Sequence, residues 1–173
     1  IDILSGLQMP DDIAACLQNI GTAFEAKFSF NDALQCYESA LRVFTQSGME
    51  EGIASCNLNI ANLYMSYQRY DQLLERYDTA RRIFEELDKP SGIAYCDFGK
   101  SNYFYKVGEI EKAIELSSSA EAFFEDSGDM VNVAKCWMHN AIMCQLPDNS
   151  PDFKQSLNEA IELLFHASNI FFE

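Results

Sequence analysis

Four cysteines stand at one fixed interval: Cys16, Cys56, Cys96 and Cys136 are each 40 residues apart. Thiols in fours are common structural zinc ligands, and thiols in pairs form disulfides. Cys36 and Cys144 bring the total to six. The densest local set runs from Cys136 through His139 to Cys144, with Cys136 and His139 on one helix face at a three-residue step. Its chemistry would be a metal site or a Cys/His nucleophile. Paired carboxylates at Asp11-Asp12, Glu50-Glu51 and Glu85-Glu86 would suit acid–base work if they were buried and convergent.

Spacing argues against each of these. Zinc–sulfur bonds of about 2.3 Å hold ligand sulfurs within roughly 4 Å of one another. Equivalent positions on stacked helical units lie about 8–10 Å apart or more. A disulfide needs Cα atoms within about 7 Å. The periodic cysteines therefore read as small apolar side chains at crowded helix contacts. Cys144 points away from the Cys136/His139 face and no C-x2-C partner exists; His166, in an apolar helical run, reads as structural. The acidic pairs fall at turns and helix ends, where solvated charge is the rule. No G-x-G-x-x-G, Walker loop, H-E-x-x-H or G-x-S-x-G is present. No catalysis, no metal and no cofactor are expected.

The elements that position these residues emerge from the same interval. At period 40, Ala14, Ala54, Ala94 and Ala134 fall in one column, and Ala40, Ala80, Ala120 and Ala160 in another. Phe44, Phe84, Phe124 and Leu164 form a third; Phe30, Tyr70 and Ile110 a fourth, closed by Ser150. Such periods mark stacked supersecondary units. Within the first unit Leu17, Ile20, Gly21 and Phe24 share a helix face. The turn "KFSFND" follows, then a second helix with Ala33, Leu34, Tyr37, Ala40, Leu41 and Phe44. Gly48 and Gly52 in "QSGMEEG" read as helix punctuation. Each unit is thus a helical hairpin, with small residues where its helices cross and aromatics filling the rest. The boundaries fall at 13–52, 53–92, 93–132 and 133–173, the last with an atypical turn, "LPDNSPDF". Residues 1–12 match the tail of a preceding second helix and its turn, because "ILSGLQM" aligns with "VFTQSGM".

These residues resemble the tetratricopeptide repeat (TPR) family, whose pattern is W-x2-L-G-x2-Y, then A-x3-F and an alanine. The first unit supplies Leu17, Ile20-Gly21, Phe24, Ala33, Tyr37 and Ala40; the second supplies Ile60-Ala61, Tyr64, Tyr70, Leu73, Tyr77 and Ala80. The long second helix and turn are similar to the 40-residue variety of G-protein-signalling modulators. Lys100 and Asn140 depart from the isoleucine column, and Ser117 from the tyrosine column, which implies either looser packing in the later hairpins or a Lys100 stem that snorkels to the surface. The implied fold is all-α, a right-handed superhelical solenoid of about four antiparallel hairpins. The resemblance also implies a non-catalytic scaffold whose first helices line a peptide-binding groove. Matching positions are Gln18 and Thr22, then Leu58, Asn59, Asn62 and Met65, then Tyr95, Phe98, Asn102 and Tyr105, then Lys135, Met138 and His139. Asn62 and Asn102 match an asparagine that family members use to hold a peptide backbone.

Composition bears on the partner. Of 173 residues, 12 are basic and 27 acidic, a formal net charge of −15. Such a surface repels nucleic acid and anionic headgroups. The expected partner is another protein, presenting an apolar or basic peptide or amphipathic helix. Members that grip acidic tails use several Lys and Arg in the groove, where this sequence offers Lys106 and Lys135. No stretch is long enough to insert in a membrane, "LLFHASNIFF" being short and interrupted by polar residues. Six cysteines without a disulfide framework fit an intracellular, cytoplasmic setting. Opening on Ile1, the chain reads as a segment of a longer protein or assembly. The competing reading is a spacer that packs against, or inhibits, other domains of its own chain.

Overall fold

A computed structural model describes residues 9–143 and Asn158. Among the described residues there are seven α-helices and no strand: α1 (Met9–Ala26), α2 (Phe30–Ser47), α3 (Glu50–Ser66), α4 (Leu73–Glu86), α5 (Pro90–Val107), α6 (Ile110–Ser127) and α7 (Met130–Met143). A short 3-10 turn, Tyr70–Gln72, leads into α4. None of these helices is long and apolar enough to cross a membrane. Cys144, Pro147, Ser150, Pro151, Ala160, Leu164 and His166 lie outside the described residues. The chain divides into two compact units, Ile1–Lys89 and Pro90–Glu173. In the first, α1 pairs with α2, α3 pairs with α4, and α2 packs on α3. In the second, α5 pairs with α6, and α7 packs on α6.

The second helices bury one stripe. Ala33, Tyr37, Ala40 and Phe44 are buried on α2, and Ala113, Ser117, Ala120 and Phe124 on α6, with the same steps of four, three and four. Leu73, Tyr77, Ala80 and Phe84 repeat the stripe on α4. A stripe of that spacing is the apolar face of an amphipathic helix. Helix α3 is covered by α2 and α4, so it buries residues on two sides: Ala54, Cys56, Asn57, Ile60, Ala61, Leu63 and Tyr64.

Small residues set how closely these helices approach. A Cβ built on Gly21 would sit 2.6 Å from the Tyr37 ring, and one on Gly52 would sit 2.5 Å from the Phe44 ring. Gly52 is therefore not punctuation, as the sequence pattern suggests. It lies inside α3 and makes room for Phe44.

The turns share one device. Backbone with positive φ recurs at Phe28, Gly48, Gln68, Asp88, Gly108 and Gly128, every 20 residues. In each turn the next residue's N–H donates to an aromatic carbonyl five residues back: Ser29 to Phe24, Met49 to Phe44, Arg69 to Tyr64, Lys89 to Phe84, Glu109 to Phe104 and Asp129 to Phe124, all at 2.8–3.0 Å. This is the left-handed helix stop that satisfies otherwise orphaned carbonyls. The same aromatics plug the core or its edge, so chain reversal and packing are tied to single residues. Three of the six left-handed sites carry side chains, at about 1–2 kcal/mol each relative to glycine's freedom.

Opposite signs are expected at two kinds of glycine site. Gly52→Ala should gain about 1 kcal/mol of helix propensity but lose about 1–3 to overpacking, for a net loss. Gln68→Gly should raise stability by about 0.5–1 kcal/mol by relieving a left-handed glutamine. Urea midpoints at constant m-value measure both.

Candidate functional site

In the N-terminal unit, the expected groove residues are organised from behind by two tyrosines. Tyr37 is buried, yet its hydroxyl donates to Glu25 Oε2 at 3.1 Å and lies 3.2 Å from Thr22 Oγ1. Burial pushes the phenol up to about 12, with the Thr22 hydrogen bond opposing and Glu25 reinforcing. Tyr77 does the same one repeat on, donating to Asn62 Oδ1 at 2.7 Å. The Asn62 amide oxygen is thereby occupied, and its N–H groups are what an incoming carbonyl would meet. Thr22 and Asn62 are exposed, while Gln18, Leu58, Asn59 and Met65 are half-buried.

Ser117 replaces that tyrosine in the C-terminal unit and is too short to reach. Asn102 instead donates to the Phe98 carbonyl of its own helix at 2.9 Å. The two asparagines therefore differ in their partners, the anchoring tyrosine hydroxyl standing behind Asn62.

The residues expected from α5 and α7 form two clusters. Phe98, Tyr105 and His139 converge, the imidazole sitting edge-on to both rings at 5.8 and 5.5 Å. The Lys106 ammonium lies 5.7 Å from the Tyr105 ring centroid. Tyr95 and Lys135 belong to the second cluster. Asn132 Nδ2 donates to Tyr95 Oη at 3.1 Å and to Asp129 Oδ2 at 2.6 Å, and Lys135 Nζ donates to Asn132 Oδ1 at 3.1 Å. Asp129 Oδ1 also accepts the Asn132 backbone N–H at 3.2 Å, capping the start of α7. Burial and then Asp129 push the Tyr95 phenol up. This cluster therefore serves the start of α7, and Met138 is half-buried on the same helix.

His139 is held in one tautomer. Ser101 spends its proton on the Ala113 carbonyl at 2.7 Å, so its oxygen accepts from His139 Nδ1 at 3.3 Å. Nε2 is then an unprotonated acceptor, buried and without a partner among the described residues. Burial, and secondly Lys106, lower the imidazole's pKa.

Sequence reasoning missed a third feature. Glu121 of α6 accepts from Trp137 Nε1 at 2.6 Å and from Asn140 Nδ2 at 2.7 Å, joining α6 to α7. Burial raises its carboxyl pKa. The available signal was the polar Asn140 in a column of isoleucines, 19 residues after a glutamate.

The four periodic cysteines take ordinary core positions with one exception, and Cys36 is half-buried. Cys56, Cys96 and Cys136 are buried, whereas Cys16 is exposed because no described helix covers that side of α1. Burial pushes the Cys56 and Cys136 thiols up to about 12, which keeps them from acting as thiolates near neutral pH. Among the described residues no group of three His, Cys, Asp or Glu side chains is placed to hold a metal ion. The acidic pairs Asp11-Asp12 and Glu50-Glu51 occupy first helical turns, where the helix dipole favours them.

Antiparallel helix hairpins with left-handed stops and a buried small–aromatic stripe define a TPR-like helical-repeat fold. Solved structures bear this out: BtubC (BKLC) from P. vanneervenii is similar at a TM-score of 0.74 and 16% identity, over 95% of this chain and 68% of that one. A putative kinesin light chain structure of Podosopora anserina with nearly identical TPR-like repeats is similar at 0.62 and 13%, over 95% and 96%. No curated protein matches the sequence significantly. The sequence profile of the soluble NSF attachment protein family, SNAP, matches residues 2–163, and the chain belongs to that family. TPR-like repeats generally mediate protein–protein contacts as non-catalytic scaffolds.

The lowered His139 value has a definite sign. Its stabilising contribution is complete above its ordinary pKa of 6.5 and is lost as pH falls below it, because the unfolded chain takes up a proton that the folded one resists. Wild-type protein should lose more urea stability between about pH 7 and 5 than His139→Gln, whose amide does not titrate. Parallel slopes for the two would overturn this.

Proposed function

We propose that the chain is a protein-interaction scaffold that holds a peptide or amphipathic helical segment of a partner on its first-helix face. The observation that carries this reading is the convergence of Phe98, Tyr105 and His139 from α5 and α7 into one partly open aromatic surface. Rigid aromatic rings make strong contact anchors because they bury much area while losing few rotamers. Asn62, with its oxygen held by Tyr77, supplies a backbone-reading amide in the other unit, flanked by Leu58 and Met65. A family named for attachment of another protein, NSF, fits this role.

Charge narrows the ligand. At −15 the chain favours basic or apolar segments over acidic ones, nucleic acid or anionic lipid. Buried free thiols fit a reducing, cytoplasmic setting. We retain the 40-residue repeat division at 13–52, 53–92, 93–132 and 133–173, each boundary falling a few residues inside the first helix of its hairpin.

Peptides selected from a displayed library against the whole chain test the proposal. Binders should be apolar or basic. The Tyr105→Ala/His139→Ala double variant should weaken them at least tenfold, about 1.4 kcal/mol, while leaving the thermal transition cooperative. A library that yields no binder, or binders indifferent to this change and to Asn62→Ala, would overturn the groove assignment.

A further inference from the structure

Arg76 of α4 stands apart from the repeat. Forty residues before and after it are Cys36 and Leu116, so neither α2 nor α6 carries a charge at that position. Its Nη1 donates to Asn57 Oδ1 of α3 at 2.9 Å. Asn57 is only 4% exposed and turns its own Nδ2 to the Ile53 carbonyl, also at 2.9 Å. Both polar ends of Asn57 are thereby spent, and the guanidinium is held by one edge. Arg81 and Arg82 of the same helix each meet a glutamate four residues on. Among the described residues no carboxylate is paired with Arg76.

Arg76 lines a cleft of about 480 Å³ between α2, α3 and α4. Leu41 and Ile53 give it apolar walls, Thr79 a hydroxyl and Gln72 an amide, while Glu75 stands exposed at the rim. Gln72 Oε1 accepts from the Tyr64 hydroxyl at 3.4 Å, which leaves the amide N–H groups for the cleft. The cleft is built entirely from residues 41–79, so helices of the N-terminal unit bound it on both sides. It follows α4 from Gln72 to Thr79, a span of about 10 Å at the rise of a helix.

We infer that this cleft receives a single Asp or Glu side chain from an otherwise apolar segment of a partner protein. A guanidinium fixed at one edge offers its remaining N–H groups in the planar geometry that matches a carboxylate. Because Asn57 already orients the plane, binding costs little further side-chain order. Leu41 and Ile53 take the aliphatic stem, and the length of the cleft lets the flanking residues of a chain lie along it. Glu75 and the net charge of −15 set the limit: a phosphate dianion or a run of acidic residues meets stronger repulsion than one carboxylate. The contact uses the second helices α2 and α4, and it is independent of the first-helix residues Leu58, Asn62 and Met65.

The first probe is N-acetylglutamate N-methylamide, which presents only a side-chain carboxylate, titrated into the full chain. The readout is the Arg76 Nε–H resonance, assigned by its loss in Arg76→Lys. The resonance should shift with a millimolar midpoint, and the glutamine counterpart and inorganic phosphate should leave it in place. Glu75→Gln, an exposed change, should tighten binding about twofold by removing repulsion. Asn57→Ala should weaken it about fivefold by freeing the guanidinium; if that variant does not fold, Glu75→Gln decides. In a second arm, displayed peptides selected on the wild-type chain and counter-selected on Arg76→Lys should carry one Asp or Glu among apolar residues. An equal shift with the glutamine counterpart or with phosphate would overturn the proposal, as would a Glu75→Gln variant that binds no tighter. Tighter binding of acetate or succinate than of the blocked glutamate, or selected peptides without an acidic residue, would overturn the protein partner in favour of a small carboxylate.

Discussion

Close contact between helices, made where a side chain is missing or minimal, is the constraint on which this structure depends. Gly21 faces the ring of Tyr37 and Gly52 the ring of Phe44, each at a distance that admits no methyl group. Fully buried alanines at 14, 33, 40, 54, 61, 80, 113, 120 and 134 continue the same arrangement along the chain. Helices that approach this closely cannot tolerate bulk at the crossing, so the aromatics must stand beside it. That division explains why the columns alternate between alanine or glycine and tyrosine or phenylalanine, and why the Cys56 and Cys136 thiols are buried and chemically quiet.

A second regularity follows from the first. Each of α1 to α6 ends where an aromatic carbonyl accepts a hydrogen bond from the residue after a left-handed turn, at intervals of 20 residues. Phe44, which packs against Gly52, is also the residue whose carbonyl terminates its helix. Packing and chain reversal therefore stay in register even where the local sequence varies. Glycine occupies three of the six left-handed positions, and Phe28, Gln68 and Asp88 occupy the others. The 3-10 turn before α4 is absorbed without changing the interval.

On this frame, function is a matter of which side chains the first helices leave available and what holds them. The hydroxyls of Tyr37 and Tyr77 pass behind the surface and fix Glu25 and Asn62. Where Ser117 stands instead, the neighbouring asparagine folds back, and the aromatic surface of Phe98, Tyr105 and His139 takes over as the recognisable feature. The two units thus offer different chemistry from equivalent positions, one an oriented amide and the other an apolar ring cluster.

The all-helical hairpin fold, the alanine and aromatic columns and the core role of the later cysteines were legible in the residues alone, because 40-residue spacing and helical periodicity are properties of the chain. The surface was less legible. Sequence listed Tyr95 and Lys135 in the groove row, but could not show that they also join the hydrogen bonds at the start of α7. It read Gly52 as a helix end, when the residue lies inside α3 to admit Phe44. It treated Ile20 and Cys16 like Ile60 and Cys56, though among the described residues only the latter pair is covered. Periodicity tells which residues share a helix face. Which neighbour covers that face, and which side-chain atoms then find each other, was decided by tertiary packing, because burial and hydrogen bonding belong to pairs of elements and not to one.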